Sequence, residues 1–339
     1  MTRFRAFRNG DPPALADLWN RGLPFPGVVR PLGPHDFDAL VMGKLNFEAA
    51  GFIVAEREGK VAGFAHAGFG PSEPSGPSHR LCYEMGTVGM LVVEPAIDDP
   101  ALEEGLLVEA ERYLKSKGAT VVYAGGQYPI NPFYWGLYGS SEWAGILSAH
   151  KVFHGAVKQA GYEAVSTTAL MEADLSGPEH RDPRTPLIRR QTRIEIREDM
   201  VLPRWWDELA IGAYHATEFR LLGRPEDVEV ARATTWDMDA LGYGQGRRCM
   251  GLVSLEVDPA YRRRGYGRYL VSEILRHGKE LLAGIVSVQT STTNRPALVL
   301  YEALGFRGVD TATLYRLPVG QGLRQAGEAF PPSASAAAS

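Results

Sequence analysis

The chain has 339 residues and a mass of 37.1 kDa, is 45% hydrophobic and 22% charged, and carries a net charge of −4. This is enough for about two packed domains and excludes a disordered, collagenous or fibrous protein. Two cysteines, Cys82 and Cys249, supply neither a disulfide framework nor a structural zinc site. The opening MTRFRAFRNG lacks the apolar stretch of a leader, and no run approaches the roughly 18 apolar residues of a membrane helix, so a cytoplasmic protein with no membrane partner is expected.

In chain order, Gly51–Arg57 and Val61–Ala67 flank Glu58-Gly59-Lys60 and read as a hairpin. A strand through Gly89–Val93, a helix over Pro100–Lys117 and a strand at Thr120–Ala124 follow, then a helix over Glu142–Gln159 and a strand from Tyr162 to Met171. Leu175–Pro186, rich in Pro, Gly and Ser, reads as a connection. Beyond it the pattern predicts a strand at Ile194–Arg197, a helix at Leu202–Ala216, and strands at Glu229–Asp237 and Met250–Val257. A helix over Gly267–Leu281, a strand at Gly284–Gln289, a helix at Arg295–Leu304 and a strand near Val309–Leu317 complete the chain. The last residues, ending in Pro331-Pro332-Ser333 and an alanine run, read as a flexible tail, and Gly242–Gly246 as a connector.

The two parts repeat one plan. Gly161–Leu170 aligns with Gly305–Leu314, and Leu91–Ala96 with Leu255–Ala260, in the same order. The expected organisation is therefore residues 1–176 as a first domain, 177–192 as a linker, 193–318 as a second domain and 319–339 as a tail, each domain a mixed-sheet α/β unit. Residues 1–180 hold 14 Lys and Arg against 21 Asp and Glu, and the remainder 22 against 19. No basic patch interleaved with aromatics marks a nucleic-acid binder, so the positive half poses the question of where an anion sits.

The answer lies in Leu255-Glu256-Val257-Asp258-Pro259-Ala260-Tyr261-Arg262-Arg263-Arg264-Gly265-Tyr266-Gly267-Arg268. A strand ends at Val257, Pro259 turns the chain out of the sheet, and Gly265 and Gly267 allow a tight entry into a helix whose first N–H groups favour a phosphate. Neither a Walker loop nor the dinucleotide fingerprint is present. The run resembles the acetyl-CoA motif of the GNAT acetyltransferase superfamily, with Arg262, Gly265 and Gly267 in the Arg/Gln-x-x-Gly-x-Gly positions. A second block, Asn294 through Phe306, resembles that family's Asn, Leu-Tyr and Leu-Gly-Phe signature. The tandem layout is also similar to that of the mycothiol synthase family.

The resemblance implies two tandem GNAT-like domains, the first degenerate at the cofactor loop, with acetyl-CoA as cosubstrate and no metal. It places the pantetheine arm on the backbone of Leu255 and Val257 and the pyrophosphate on the amides from Arg263 through Arg264, Gly265, Tyr266 and Gly267 to Arg268. Asn294 would orient the cofactor arm, and Tyr301 would act as the general acid toward the thiolate; a phenol is protonated at neutral pH and suits that role. A primary amine of a small molecule or peptide would be the acceptor. The base is open: Glu256 on the cofactor strand, then Asp237 and Glu218, or a water chain. A noncatalytic acyl-CoA sensor is the alternative.

In the first copy the loop reads Ile97-Asp98-Asp99-Pro100-Ala101-Leu102-Glu103-Glu104, carboxylates where phosphate would sit, and no Asn and Tyr block follows. That copy is expected to be scaffold or substrate wall. It also carries a longer insertion, Gly125–Trp143, with six aromatics. These either pack between the domains or place Tyr134, Trp135 or Tyr138 in the acceptor pocket. His215 with Glu218, and Trp236 with Asp237, either line a pocket or cap and pack.

Overall fold

Strands with apolar residues on both faces must be covered twice, and the strand Leu81–Val93 obeys this: Met90 and Val92 enter one core cluster, Leu91 and Val93 the other. In the computed structural model, residues 2–318 are described apart from 75, 77, 143, 178–181, 203, 212–213 and 239–245. The expected tail 319–339 and residues 242–245 of the expected connector lie outside them.

The first half runs β1 (Thr2–Ala6), α1 (Pro12–Gly22), β2 (Phe52–Arg57), β3 (Lys60–Pro71), β4 (Leu81–Val93), α2 (Pro100–Ser116), β5 (Val121–Ala124), β6 (Ile146–Leu147), α3 (Lys151–Gln159) and β7 (Glu163–Asp174). The second runs α4 (Thr185–Gln191), β8 (Thr192–Arg197), α5 (Trp205–Ile211), β9 (Ala216–Gly223), β10 (Val228–Asp237), β11 (Arg248–Val257), α6 (Tyr266–Glu280), β12 (Ala283–Ser291), α7 (Arg295–Glu302) and β13 (Arg307–Arg316). In both, an antiparallel meander ends in a parallel strand-helix-strand crossover: β4 with β5 across α2, and β11 with β12 across α6.

The crossover helices are amphipathic for the expected reason. α2 starts on Pro100 with the Asp99 side chain accepting from the Ala101 amide, and buries Leu102, Leu106, Ala110, Tyr113 and Leu114. α6 buries Leu270, Val271, Ile274 and Gly278, and each fully buried aliphatic side chain stabilises by ~1.5–3 kcal/mol.

The halves are not self-contained. The sheet order is β1-β2-β3-β4-β5-β13-β7-β12-β11-β10-β9-β8, with β6 also on β13. The last strand of the first half, β7, pairs with β12 from Ile285↔Asp174 to Ser291↔Thr168. The last strand of the second half, β13, pairs with β5 through Tyr315↔Ala124, and with β7 along most of its length. Each half thus hands its final strand to the other, and one continuous sheet spans both.

Several expectations need correction. The helix placed at 142–159 begins at Lys151, because Gly139 and Gly145 hold φ of 92° and 111° and β6 intervenes. The helix at 202–216 stops at Ile211, and Ala216 to Gly223 is a strand, so Glu218 lies on β9. The linker contains α4.

Candidate active site

β11 and β12 pair only from Arg248↔Ala283 to Leu252↔Val288. Beyond that point β11 follows β10, while β12 follows β7. Ser254, at φ 53°, lies in a β-bulge where the β10 register slips between Arg232 and Thr234, and the extra residue bends β11 away. The strands splay, and among the described residues the β11 edge from Val253 to Val257 has no strand partner on the β12 side. An amide-bearing chain can pair with such an edge as an added strand would. Leu255 and Val257 lie here, and the Val257 carbonyl accepts from Arg262 Nε at 3.0 Å, which fixes that arginine beside the turn.

The turn itself carries two left-handed residues, Arg263 at φ 64° and Gly265 at φ 90°. Gly265 is the N-cap of α6 and has no side chain to cap the first turn's amides. A groove of about 640 Å³ opens there, lined by Val257, Arg263, Gly267, Arg295 and Leu300 among others. A methyl group on Gly267 would stand 3.1 Å from Val257 Cγ2, which explains the second glycine. Arg264 covers the Tyr261 ring at 5.9 Å, and Tyr266 meets the same ring edge-on at 6.1 Å. Arg268 points the other way, its Nε 3.4 Å from Asp182 and a second guanidinium nitrogen donating to the Ala303 carbonyl, so only its amide faces the turn. An open β edge, a helix start with glycine at its N-cap and flanking arginines fit a diphosphate ester with an amide-containing arm.

The first half shows the contrast. Asp99 caps α2 with its own carboxylate and pairs with Arg57 at 3.3 Å. The position that an anion would take is filled from within the chain, and a second negative charge there is repelled.

Tyr301, on α7, is 2% exposed and packs against Phe306. Burial, helped by the charge of Glu142, pushes its phenol above the ordinary tyrosine range, so it holds its proton at neutral pH. Asn294 is the N-cap of α7, its side-chain oxygen accepting from the Ala297 amide at 3.3 Å. That use of the oxygen was not expected from the sequence.

The carboxylates singled out from sequence are all paired with arginine. Glu256 meets Arg232 at 2.7 Å, Asp237 meets Arg248 at 3.1 Å, and Glu218 lies 3.8 Å from Arg197. His215 and Asp199 form a solvent-exposed pair at 2.8 Å.

The residue missed is Glu142. It comes from the first half's aromatic insertion, is 8% exposed, and among the described residues its carboxylate makes neither a hydrogen bond nor an ion pair. Burial, then the charge of Asp207, pushes it up to about 8. One signal was legible: across 118–150 Glu142 is the lone Asp, Glu, Lys or Arg in an otherwise uncharged stretch.

The insertion docks on the second half through its backbone. Gln289 of β12 donates to the carbonyls of Gly139 and of Glu142, the latter at 2.7 Å, and Trp236 Nε1 donates to the Ser141 carbonyl at 3.0 Å. Tyr128 donates to Asp207 of α5 at 2.5 Å. Lys44 donates to the Leu209 and Ala210 carbonyls of α5. Two of the aromatic candidates serve the first half instead. Tyr134 is fully buried, stacks on Trp19 and bonds His66 at 3.0 Å, while Tyr138 bonds His150 at 3.0 Å. Trp135, also buried, shares a core cluster with Ala210, Trp236 and Met238 of the second half, and its carbonyl accepts from Tyr214. The interdomain-packing reading holds for this loop.

Comparison with known proteins agrees with this geometry. Residues 192–306 match the model of the Acetyltransferase (GNAT) family. N-alpha-acetyltransferase RimI of Mycobacterium tuberculosis is 39% identical over 62 residues, 18% of this chain and 37% of that protein, so the match spans well under half of its relative. A GCN5-related N-acetyltransferase from Sphaerobacter thermophilus superposes with a TM-score of 0.62 at 14% identity, covering 96% of this chain and 98% of that one. A tandem GNAT protein from the clavulanic acid biosynthesis pathway gives 0.62 at 14% identity, covering 95% and 100%. At that identity the structures speak for the fold alone, a tandem GNAT architecture over nearly the whole chain.

Proposed function

Taking as premise that the chain carries a GNAT acetyltransferase domain over residues 192–306, we propose that its second half moves an acetyl group from acetyl-CoA to a primary amine of a small molecule or peptide. The observation that carries this reading is the strand splay beyond Leu252↔Val288, with the Gly265 turn at its mouth. Acetyl-CoA would supply the thioester. The amides from Arg263 to Arg268 and the arginines of the groove would hold its diphosphate, and the free edge of Leu255 and Val257 would order its arm. Tyr301, protonated at neutral pH, would give its proton to the departing sulfur.

The first half, residues 1–176, would be scaffold and wall, because Asp99 occupies its own anion position. Residues 177–192 would be the linker and 193–318 the catalytic unit, with the reservation built into the sheet that β7 and β13 each serve the opposite unit. Thiol release from acetyl-CoA in the presence of spermidine, glucosamine, kanamycin and an alanine-terminated hexapeptide tests the reading. An acetyltransferase releases CoA with at least one acceptor; a protein that binds acetyl-CoA and releases none above background is a sensor instead.

A further inference from the structure

An alkylammonium must lose a proton before its nitrogen can attack a thioester, and the carboxylates on the cofactor half are committed elsewhere. Glu256 would have to leave Arg232, Asp237 would have to leave Arg248, and Glu218 lies beside Arg197. A carboxylate held by a guanidinium is a weaker base, because giving up its charge also forfeits the pair.

Glu142 differs in each respect. It arrives from the first half on a segment pinned against β12 and β10 by Gln289 and Trp236, so its backbone is anchored at its own carbonyl and at that of the residue before it. Gln289 is one residue past the last β11–β12 pair, so Glu142 stands at the opening of the splay. It lies close enough to Tyr301 for its charge to act on the phenol. Of the ionisable groups around it, Asp207 of α5 acts on Glu142 and Glu142 acts on Tyr301 of α7, and Asp207 is itself held by Tyr128. An unpaired acid anchored where the two strands begin to part, with a proton-holding phenol within electrostatic reach, is the division of labour that amine acylation needs.

We propose that Glu142, delivered by the half that has lost its own cofactor seat, is the general base of the acetyl transfer in the other half. This rests on the acetyltransferase reading above. The carboxylate takes one proton from the alkylammonium, and the freed amine attacks the thioester carbonyl. The C–N bond forms and the C–S bond breaks. Tyr301 protonates the thiolate and recovers a proton from the new amide nitrogen, while Glu142 returns its proton to water. The sum is amide, CoA thiol and one released proton. A base raised to about 8 is stronger than an ordinary carboxylate, which would be too weak to compete for an ammonium proton, and its ionised fraction grows as pH rises from 7 through 8.

The test uses the full chain, acetyl-CoA and whichever of the four acceptors wild type turns over fastest. Glu142→Gln should lower kcat/KM at pH 7 by about 10²-fold or more, abolish the ascending limb centred near pH 8, and leave the acetyl-CoA Kd within twofold. Glu142→Asp, which keeps the acid one methylene further back, should retain the limb with a smaller rate loss. An E142Q enzyme with wild-type rate and pH profile overturns the proposal, as does an E142D enzyme as inactive as E142Q. If E142Q loses acetyl-CoA binding as well, Glu142 is structural and the proposal falls. Wild type that binds acetyl-CoA but acylates none of the four acceptors overturns the acetyltransferase reading itself, an outcome distinct from a change confined to the variants.

Discussion

Replacing Gly265 by alanine isolates what the turn contributes. Its φ of 90° is left-handed, where a Cβ costs ~1–2 kcal/mol. The added methyl would also sit 3.1 Å from the Arg184 guanidinium, which would have to shift by a few tenths of an ångström within its bonds of 3.1 and 2.8 Å to Asp182. The backbone should relax as well, tilting the amides that face the diphosphate. Losing one charge-assisted hydrogen bond, at ~1.5–3 kcal/mol, corresponds to a loss of about 10- to 100-fold in acetyl-CoA affinity. Gly161 provides the matching control: φ is 82°, and nothing lies within 4 Å of a built Cβ. Gly161→Ala should therefore lose a similar ~1–2 kcal/mol of stability and none of the affinity. Titration calorimetry with acetyl-CoA, alongside urea melts, reads both quantities. Equal acetyl-CoA Kd values for the two variants would refute the assignment of the Gly265 turn as the diphosphate seat.

Other expectations follow from the same geometry. Tyr301→Phe should cut kcat by about 10²-fold or more with acetyl-CoA binding intact; stopped-assay kinetics with undiminished turnover would remove Tyr301 as the acid. Gly136→Ala places a methyl 2.4 Å from the Trp236 ring at a φ of 72°, and should cost ~2–4 kcal/mol in urea unfolding; a loss under about 0.5 kcal/mol would show the insertion is not firmly docked. Glu142, raised from 4.5 to about 8, binds its proton more tightly folded than unfolded. Its stabilising contribution is full below about pH 4.5 and is lost as pH rises through about 8. Glu142→Gln should then melt above wild type at pH 9 and lie nearer to it at pH 5, and calorimetric scans giving the same difference at both would contradict the buried acid.

Period and turn chemistry made much of the fold legible. The Gly59 hairpin, α2, α6, β12 and α7 lie within a few residues of where alternation, caps and glycines place them. β9 was missed because Leu202 to Ala216 is apolar enough to read through as one helix, which hides the turn before Ala216. Glu142 was assigned to a helix because Glu142 to His150 is a helix-compatible run; two left-handed glycines and the two-residue strand β6 overrule that propensity. The strand exchange was illegible for a different reason. β7 and β13 are the repeat-related segments, with the same spacing of Gly, Val, Thr and Leu, so side-chain pattern fits either strand to either slot. Which one goes where is settled by contacts distant in sequence. The Gly265 turn was legible because its signal is local in sequence, whereas the buried acid was not, because it crosses from the other half.

The exchanged strands also order events in time. A growing chain presents β7 before β12 exists to receive it, and β5 waits beside an empty place until β13, the last described strand, has been made. The first half therefore cannot finish early and stand by while the second is synthesised. Its completion depends on residues near the far end of the chain, a long-range closure of the kind that slows folding. The first half is thus bound to the second by synthesis order as well as by contact: a premature stop before β13 would leave the first half unfinished, although every residue of that half had already been translated.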